Sequence, residues 1–243
     1  NTNGVLFVTH NIEEAALLAD RILIFKSDPG TIQAELSVDL QHPRNEQDPL
    51  FRRVVDQVYT LMTTEIKEDR HLGYGIRHKK IELGYRLPDA DISELMGLIE
   101  TVNAPEYDGR MDLPELAEIL HLNVDDLFPL VEVLEILRFA FVSKGDIELS
   151  YAGRKFANAD ILERKQLFAN HLLRYVPLAK HIRQVLDTDL HHYENKKRFL
   201  TELKNYLSED EAERVLRLVI EWGRYAEVFA YDDNTGILSL ENP

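Results

Sequence analysis

Cysteine is absent from all 243 residues. That excludes disulfides, thiol catalysis and cysteine-based zinc sites, and it agrees with a cytosolic protein. Long apolar runs are missing too. No stretch reaches the roughly 18–20 uncharged residues that a bilayer span needs, so no membrane insertion is expected. The chain opens at Asn1 without a Met, and no cationic-then-apolar leader follows, so the expectation is upstream sequence and no secretion signal. Cations are in deficit, with 28 Lys and Arg against 43 Asp and Glu, a formal net charge of −15. Nucleic-acid affinity comes largely from Lys and Arg neutralising phosphates, so such a surface repels a polyanion and no nucleic-acid partner is expected. The plainest reading of the charge is solubility. What is present in quantity is apolar matter, 44% of the residues, enough for a real core in one or two domains.

Residues 4–9 (Gly-Val-Leu-Phe-Val-Thr) form a continuously apolar run, the pattern of a strand buried on both faces. Residues 11–20 switch to helical spacing, with Ile12, Ala15, Ala16 and Ala19 on one side and Glu13 and Glu14 on the other. Arg21 to Lys26 is a second short strand, Asp28-Pro29-Gly30 a turn, and Thr31 to Val38 a hairpin partner. This is too little to close a sheet by itself. After a polar stretch at 39–49, Leu50, Phe51, Val54, Val55, Val58, Leu61 and Met62 make the stripe of a helix. Glu65 to Asp89 mixes charges with three glycines and a proline and reads as a connection.

From Asp91 the pattern is helical and well capped. Asp91-Ile-Ser-Glu94, Asp112-Leu-Pro-Glu115 and Ser208-Glu-Asp-Glu211 have the form of capping boxes. Helices are predicted at about 92–103, 113–121 and 124–138, closed by a hairpin of Phe139–Ser143 and Asp146–Ser150 around Lys144-Gly145. Three helices and a hairpin are the pattern of a winged helix. Further helices are predicted at about 159–174, 177–187, 194–207 and 209–229, with a hairpin over Tyr231–Leu240. This last part reads as a helical unit and a candidate second, degenerate winged helix. The fold class expected is therefore mainly α with short β-hairpins (α+β), with winged-helix-like units in the C-terminal region behind a strand-helix-strand of an α/β domain.

Val8-Thr-His-Asn11, then Glu13, Glu14, Ala15, Leu18, Ala19, Asp20 and Arg21, then Ile22-Leu-Ile24, resembles the switch-histidine segment of ABC-transporter ATPases. The nearest group is the nitrate, sulfonate and taurine importers; Asn11 stands where Asp is more usual. The turn at 28–30, Ile32, the His42-Pro43-Arg44 segment and helix 50–62 are similar to that group's cassette tail. Residues 91–243 resemble the AAA-associated domain appended to some of these subunits, through their helical pattern, Asp112-Leu-Pro-Glu-Leu-Ala117 and Leu149-Ser-Tyr-Ala-Gly153. The residue pattern and the resemblance together divide the chain into four parts: 1–66, by resemblance the end of an ABC ATPase domain; 67–90, a linker; 91–158, a winged-helix-like unit; and 159–243, the helical unit ending in a hairpin, a candidate second, degenerate winged helix.

The resemblance assigns His10 the switch-histidine role. In an intact subunit it would hydrogen-bond the ATP γ-phosphate, a charge-related bond of about 1.5–3 kcal/mol, and help place the attacking water. The plain alternative is a turn histidine. ATP and magnesium are the cofactors implied for the intact subunit; none is expected for this chain, which lacks the parts that grip a nucleotide. None of its eleven glycines lies in a loop ending in Gly-Lys-Ser/Thr, whose amides and Lys cradle phosphates. The Leu-Ser-Gly-Gly signature and the strand-terminal Asp-Glu pair are missing as well. The chain as given is expected not to be an enzyme.

Other candidates are weaker. His181, His191 and His192 with Asp187 and Asp189 suggest a metal only loosely, because His181 and His191 exceed helical i,i+4 reach and adjacent His191 and His192 diverge; no metal site is expected. Tyr74-Gly75 is too thin for a phosphate loop. The would-be recognition helix near 124–137 carries Asp125, Asp126, Glu132 and Glu135, with neither Lys nor Arg anywhere in 112–137. It would push a duplex away. Lys196-Lys197-Arg198, with Lys180 and Arg183, is the densest basic cluster, a solvated helix face or a contact for acidic headgroups or a partner.

The function expected is that of an accessory and regulatory region of a small-anion importer's ATP-binding subunit, cytoplasmic and peripheral on the inner membrane. The partners implied are a second ATP-binding subunit, as a homodimer, and the membrane permease subunits. The rival readings are a winged-helix transcriptional regulator and a small-ligand sensor domain.

Overall fold

Two packing patterns written in the sequence, 3.6-residue apolar stripes and short alternating runs, organise the chain into small sheets edged by helices. A computed structural model describes residues 4–26, 30–63 and 81–240. Residues 28 and 29 of the expected turn and residues 65–80 of the connection, Tyr74-Gly75 among them, lie outside these. Among the described residues, ten helices and three separate antiparallel sheets make a mixed α+β fold.

The N-terminal quarter holds α1 (Ile12–Leu18), the antiparallel pair β1 (Arg21–Lys26) and β2 (Thr31–Ser37), and α2 (Pro49–Thr63). Ile12 and Ala16 of α1 are buried, and α1 packs on α2, whose Phe51, Val54, Val55, Val58 and Tyr59 are buried. The strand predicted at 4–9 does not form. Val5, Leu6 and Val8 are 84–88% exposed, and among the described residues no strand pairs with this run. A continuously apolar strand is stable only when neighbouring strands satisfy its backbone and both faces are covered.

The remainder contains one succession of elements twice. First come α3 (Ile92–Val102), β3 (Arg110–Asp112), α4 (Leu113–Leu120), α5 (Val124–Ile136), β4 (Ala140–Ser143) and β5 (Asp146–Leu149), with strand order β3-β5-β4. After α6 (Tyr151–Asn158) and α7 (Ile161–Tyr175) follow α8 (Pro177–Thr188), β6 (Tyr193–Asn195), α9 (Lys196–Leu203), α10 (Glu209–Tyr225), β7 (Ala230–Asp232) and β8 (Ile237–Ser239), with order β6-β8-β7. Side-chain caps start the helices as the sequence requires: Asp112 accepts from the Glu115 amide, Ser150 from Gly153 and Ser208 from Glu211. Asp91 caps α3 through the Ser93 amide, one residue earlier than a capping box places it.

Three elements escape the sequence reading. β3 and β6 are three residues each, too short for alternation to register. The predicted helix at 159–174 is α7, and α6 precedes it over residues 151–158, to which the sequence reading assigned no element. Gly153 of α6 is required by packing, since a Cβ there would meet the Phe139 carbonyl oxygen at 2.0 Å. The two repeats are joined by an aromatic spine. Phe139 stacks on His171 (4.6 Å between centroids) and packs on Phe156 and Phe168, and Phe168 meets Trp222 and Tyr225 edge-on.

Candidate functional site around His10

The segment bearing His10 is fixed from both ends of α1. At its start the Asn11 side chain accepts from the Glu14 amide at 2.8 Å, a cap that Asn and Asp supply equally well. This accounts for the Asn standing where Asp is usual. Thr9 Oγ1 donates to Glu14 Oε2 at 2.6 Å and accepts from the Asn11 amide at 3.1 Å. His10 therefore sits, exposed, between two residues held by side-chain bonds. Glu13 and Glu14 lie in the first turn, where carboxylates favour the helix dipole.

At the other end, Arg44 closes α1. Its side chain is 1% exposed, and it donates to the carbonyls of Ala16 (2.8 Å), Ala19 (2.7 Å), Leu40 (3.1 Å) and Val38 (3.3 Å). Helix C-terminal carbonyls have no partner within the helix, and one planar guanidinium serves several at once. Asp20 lies 3.6 Å from Arg44 and 3.5 Å from His42, the residue preceding the cis Pro43. The sequence marked His42-Pro43-Arg44 by resemblance only. Its mechanical role was not legible, because Arg44 acts on carbonyls 25 and 28 residues away.

The other sequence candidates disperse. His181 Nε2 meets Glu202 at 2.5 Å, His192 Nδ1 meets the Leu186 carbonyl at 3.0 Å, and His191 stacks on Tyr193. Among the described residues no group of three His, Asp or Glu gathers as a metal site. The basic cluster is laced internally: Arg198 pairs with Glu194 and Glu202, Arg183 with Asp187 and the Val228 carbonyl, and Lys196 sits over the Tyr231 ring.

Neither third helix of the two repeats is bare. Tyr59 of α2 stacks on Phe128 of α5, and Tyr85 donates to Glu132 of the same helix. On α10, Arg214 donates to the Leu87 carbonyl and the Trp222 indole to the Ala90 carbonyl.

Comparison with known proteins adds a family at this point. Residues 114–232 match the C-terminal AAA-associated domain. The match runs from the second residue of α4 to the end of β7 and leaves out α3, β3 and β8. The chain is also similar to an aliphatic sulfonates import ATP-binding protein of Pseudomonas savastanoi pv. phaseolicola, 48% identical over 56 residues, which are 23% of this chain and 24% of that protein. A second aliphatic sulfonates import ATP-binding protein, of Streptomyces avermitilis, is 53% identical over 48 residues, 20% of this chain and 18% of its own. A nitrate import ATP-binding protein of Synechocystis sp. is 36% identical over 68 residues, 24% of this chain and 26% of its own. The chain thus spans about a quarter of the length of these relatives. No solved structure matches. Among the described residues no helix is long and apolar enough to cross a membrane.

Proposed function

We propose that this chain is the C-terminal part of an ATP-binding subunit of an ABC importer for small anions of the sulfonate or nitrate kind, with the AAA-associated domain as its regulatory or dimer-contact region. One observation carries the reading: the Thr9-His10-Asn11 segment, similar to the switch segment of such subunits, is tied to the start of α1 by the Asn11 cap, α1 is closed at its other end by Arg44, and His10 is exposed. The exposed apolar run at Val5–Val8 supports it, since such a run calls for further strands of a sheet. In the intact subunit His10 would donate to the γ-phosphate of ATP bound with magnesium, and the subunit would pair with a second copy and with permease subunits on the cytoplasmic side of the inner membrane.

This chain is proposed not to hydrolyse ATP by itself. The groups around His10 on its own segment are Glu13 and Glu14, which repel a phosphate, and the sequence holds no glycine loop to offset them. The two repeats are proposed to be winged-helix units, supported by their helix–strand–helix–helix–hairpin order and identical strand orders. Against a DNA-reading role stand the acidic α5 and the intramolecular contacts over α5 and α10. The test is His10→Ala in the native full-length gene product, assayed for magnesium-dependent ATP hydrolysis. A loss of roughly 10- to 100-fold follows from one charge-related hydrogen bond, whereas unchanged turnover contradicts the role given to His10.

A further inference from the structure

The turn between β4 and β5 lies on the last turn of α2. Lys144 and Gly145 both have positive φ (57° and 89°), the two-residue hairpin geometry that glycine eases. The Gly145 amide donates to Thr63 Oγ1 at 2.8 Å, and Thr60 Oγ1 donates to the Lys144 carbonyl at 3.3 Å. The approach is close, for a Cβ at Gly145 would stand 3.3 Å from Thr60 Oγ1. The Gly145 carbonyl accepts from the Leu113 amide at 2.8 Å. One peptide turn thus ties α2 on one side to the start of α4 on the other.

A second tie crosses from the first repeat to the second. Residues 81–90, read from the sequence as the end of a connection, are packed: Ile81, Leu87 and Ala90 are buried. Tyr85 bonds Glu132 of α5. Arg86 pairs with Glu211 at 3.2 Å, Arg214 donates to the Leu87 carbonyl at 2.7 Å, and Trp222 donates to the Ala90 carbonyl at 3.2 Å, all three on α10. Gly84 fits against Tyr206, whose Cβ a side chain at 84 would meet at 2.2 Å. The segment is a strap with one hold on α5 and three on α10.

We propose that the turn at 144–145 is a latch on α2 and that the strap 81–90 passes its state to α10, so that the paired repeats sense the position of α2. The device rests on the reading of residues 1–63 as a nucleotide-sensing end only for the signal that displaces α2. The latch contacts and the strap exist whatever that signal is. Spatial continuity alone does not demonstrate coupling, so the test measures the coupling itself on this chain without nucleotide.

Thr63→Val and Tyr85→Phe each remove one hydroxyl, and Trp222, the single tryptophan, reports urea unfolding. In a linked device the double variant is less destabilised than the product of the two single effects, by about threefold or more in the unfolding constant, where independent distant sites combine within about twofold. Exchange of the Gly145 amide is accelerated in Thr63→Val by about tenfold, while Thr63→Ser keeps the wild-type rate. Multiplicative behaviour of the two substitutions, or a Gly145 amide indifferent to Thr63→Val, overturns the proposal. Because no nucleotide is present, neither result depends on the ATP assay of His10→Ala.

Discussion

Single residues carry more of this architecture than their side-chain types announce. Arg44 is the clearest case: replacing it with Ala leaves several buried carbonyls without a donor, at a cost of about 3 kcal/mol, and hydrogen exchange along α1 should accelerate accordingly. Arg44→Lys is expected to recover little, because a single ammonium cannot span four carbonyls. Gly153→Ala forces a Cβ onto the Phe139 carbonyl, and thermal unfolding should register a loss of about 3 kcal/mol. His171 gives a pH signature. Burial pushes its pKa below the ordinary value, with Arg174 adding to the shift and the bond to the Leu137 carbonyl opposing it. A histidine whose folded pKa lies below its unfolded one stabilises the fold above the unfolded pKa of about 6.5 and loses that contribution as the pH falls. Melting temperature should therefore decline below about pH 6.5, and His171→Asn should flatten that decline.

At the scale of elements, the longer helices were legible because each writes its stripe over three or more turns. α2, α3, α4, α8 and α10 begin where their caps or prolines place them, and the β4–β5 hairpin follows from Lys144-Gly145. The elements that were missed depend on distant partners. β3 becomes a strand by pairing with β5 and β6 by pairing with β8; alternation over three residues is no signal. The strand read at 4–9 fails for the converse reason, an apolar run whose pairing partners are absent among the described residues. The His10 segment was legible as a pattern, but the Arg44 clamp, the α2 latch and the strap were not, since each joins residues separated by 25 to more than 120 positions. The α2–α4 joint supplies an element-scale prediction. Burial raises the pKa of Asp56 on α2, opposed by the Arg52 charge, and of Asp112 at the N-cap of α4, opposed by the bond from the Glu115 amide and reinforced by the charges of Asp56, Asp146 and Glu115. A carboxyl whose folded pKa exceeds its unfolded value weakens the fold when ionised, and that penalty is relieved as pH falls through the raised pKa. Exchange at the α2–α4 contact should thus slow in mild acid, the opposite sense to the His171 effect, and Asp56→Asn should stabilise the joint at neutral pH.

At the scale of the whole molecule, the described residues form a duplicated body with an antiparallel strand pair and two helices, α2 lying against α4 and β4 of the first repeat. The chain's 28 cationic side chains against 43 acidic ones weigh against binding a polyanion. His10 is proposed to belong to a γ-phosphate-sensing segment that stands here without the groups that grip a nucleotide. The most direct test of this assignment is steady-state ATP hydrolysis by the purified chain with magnesium. Turnover no greater than the protein-free blank is expected for the chain and for His10→Ala alike; magnesium-dependent turnover by the chain that His10→Ala abolishes would overturn the assignment.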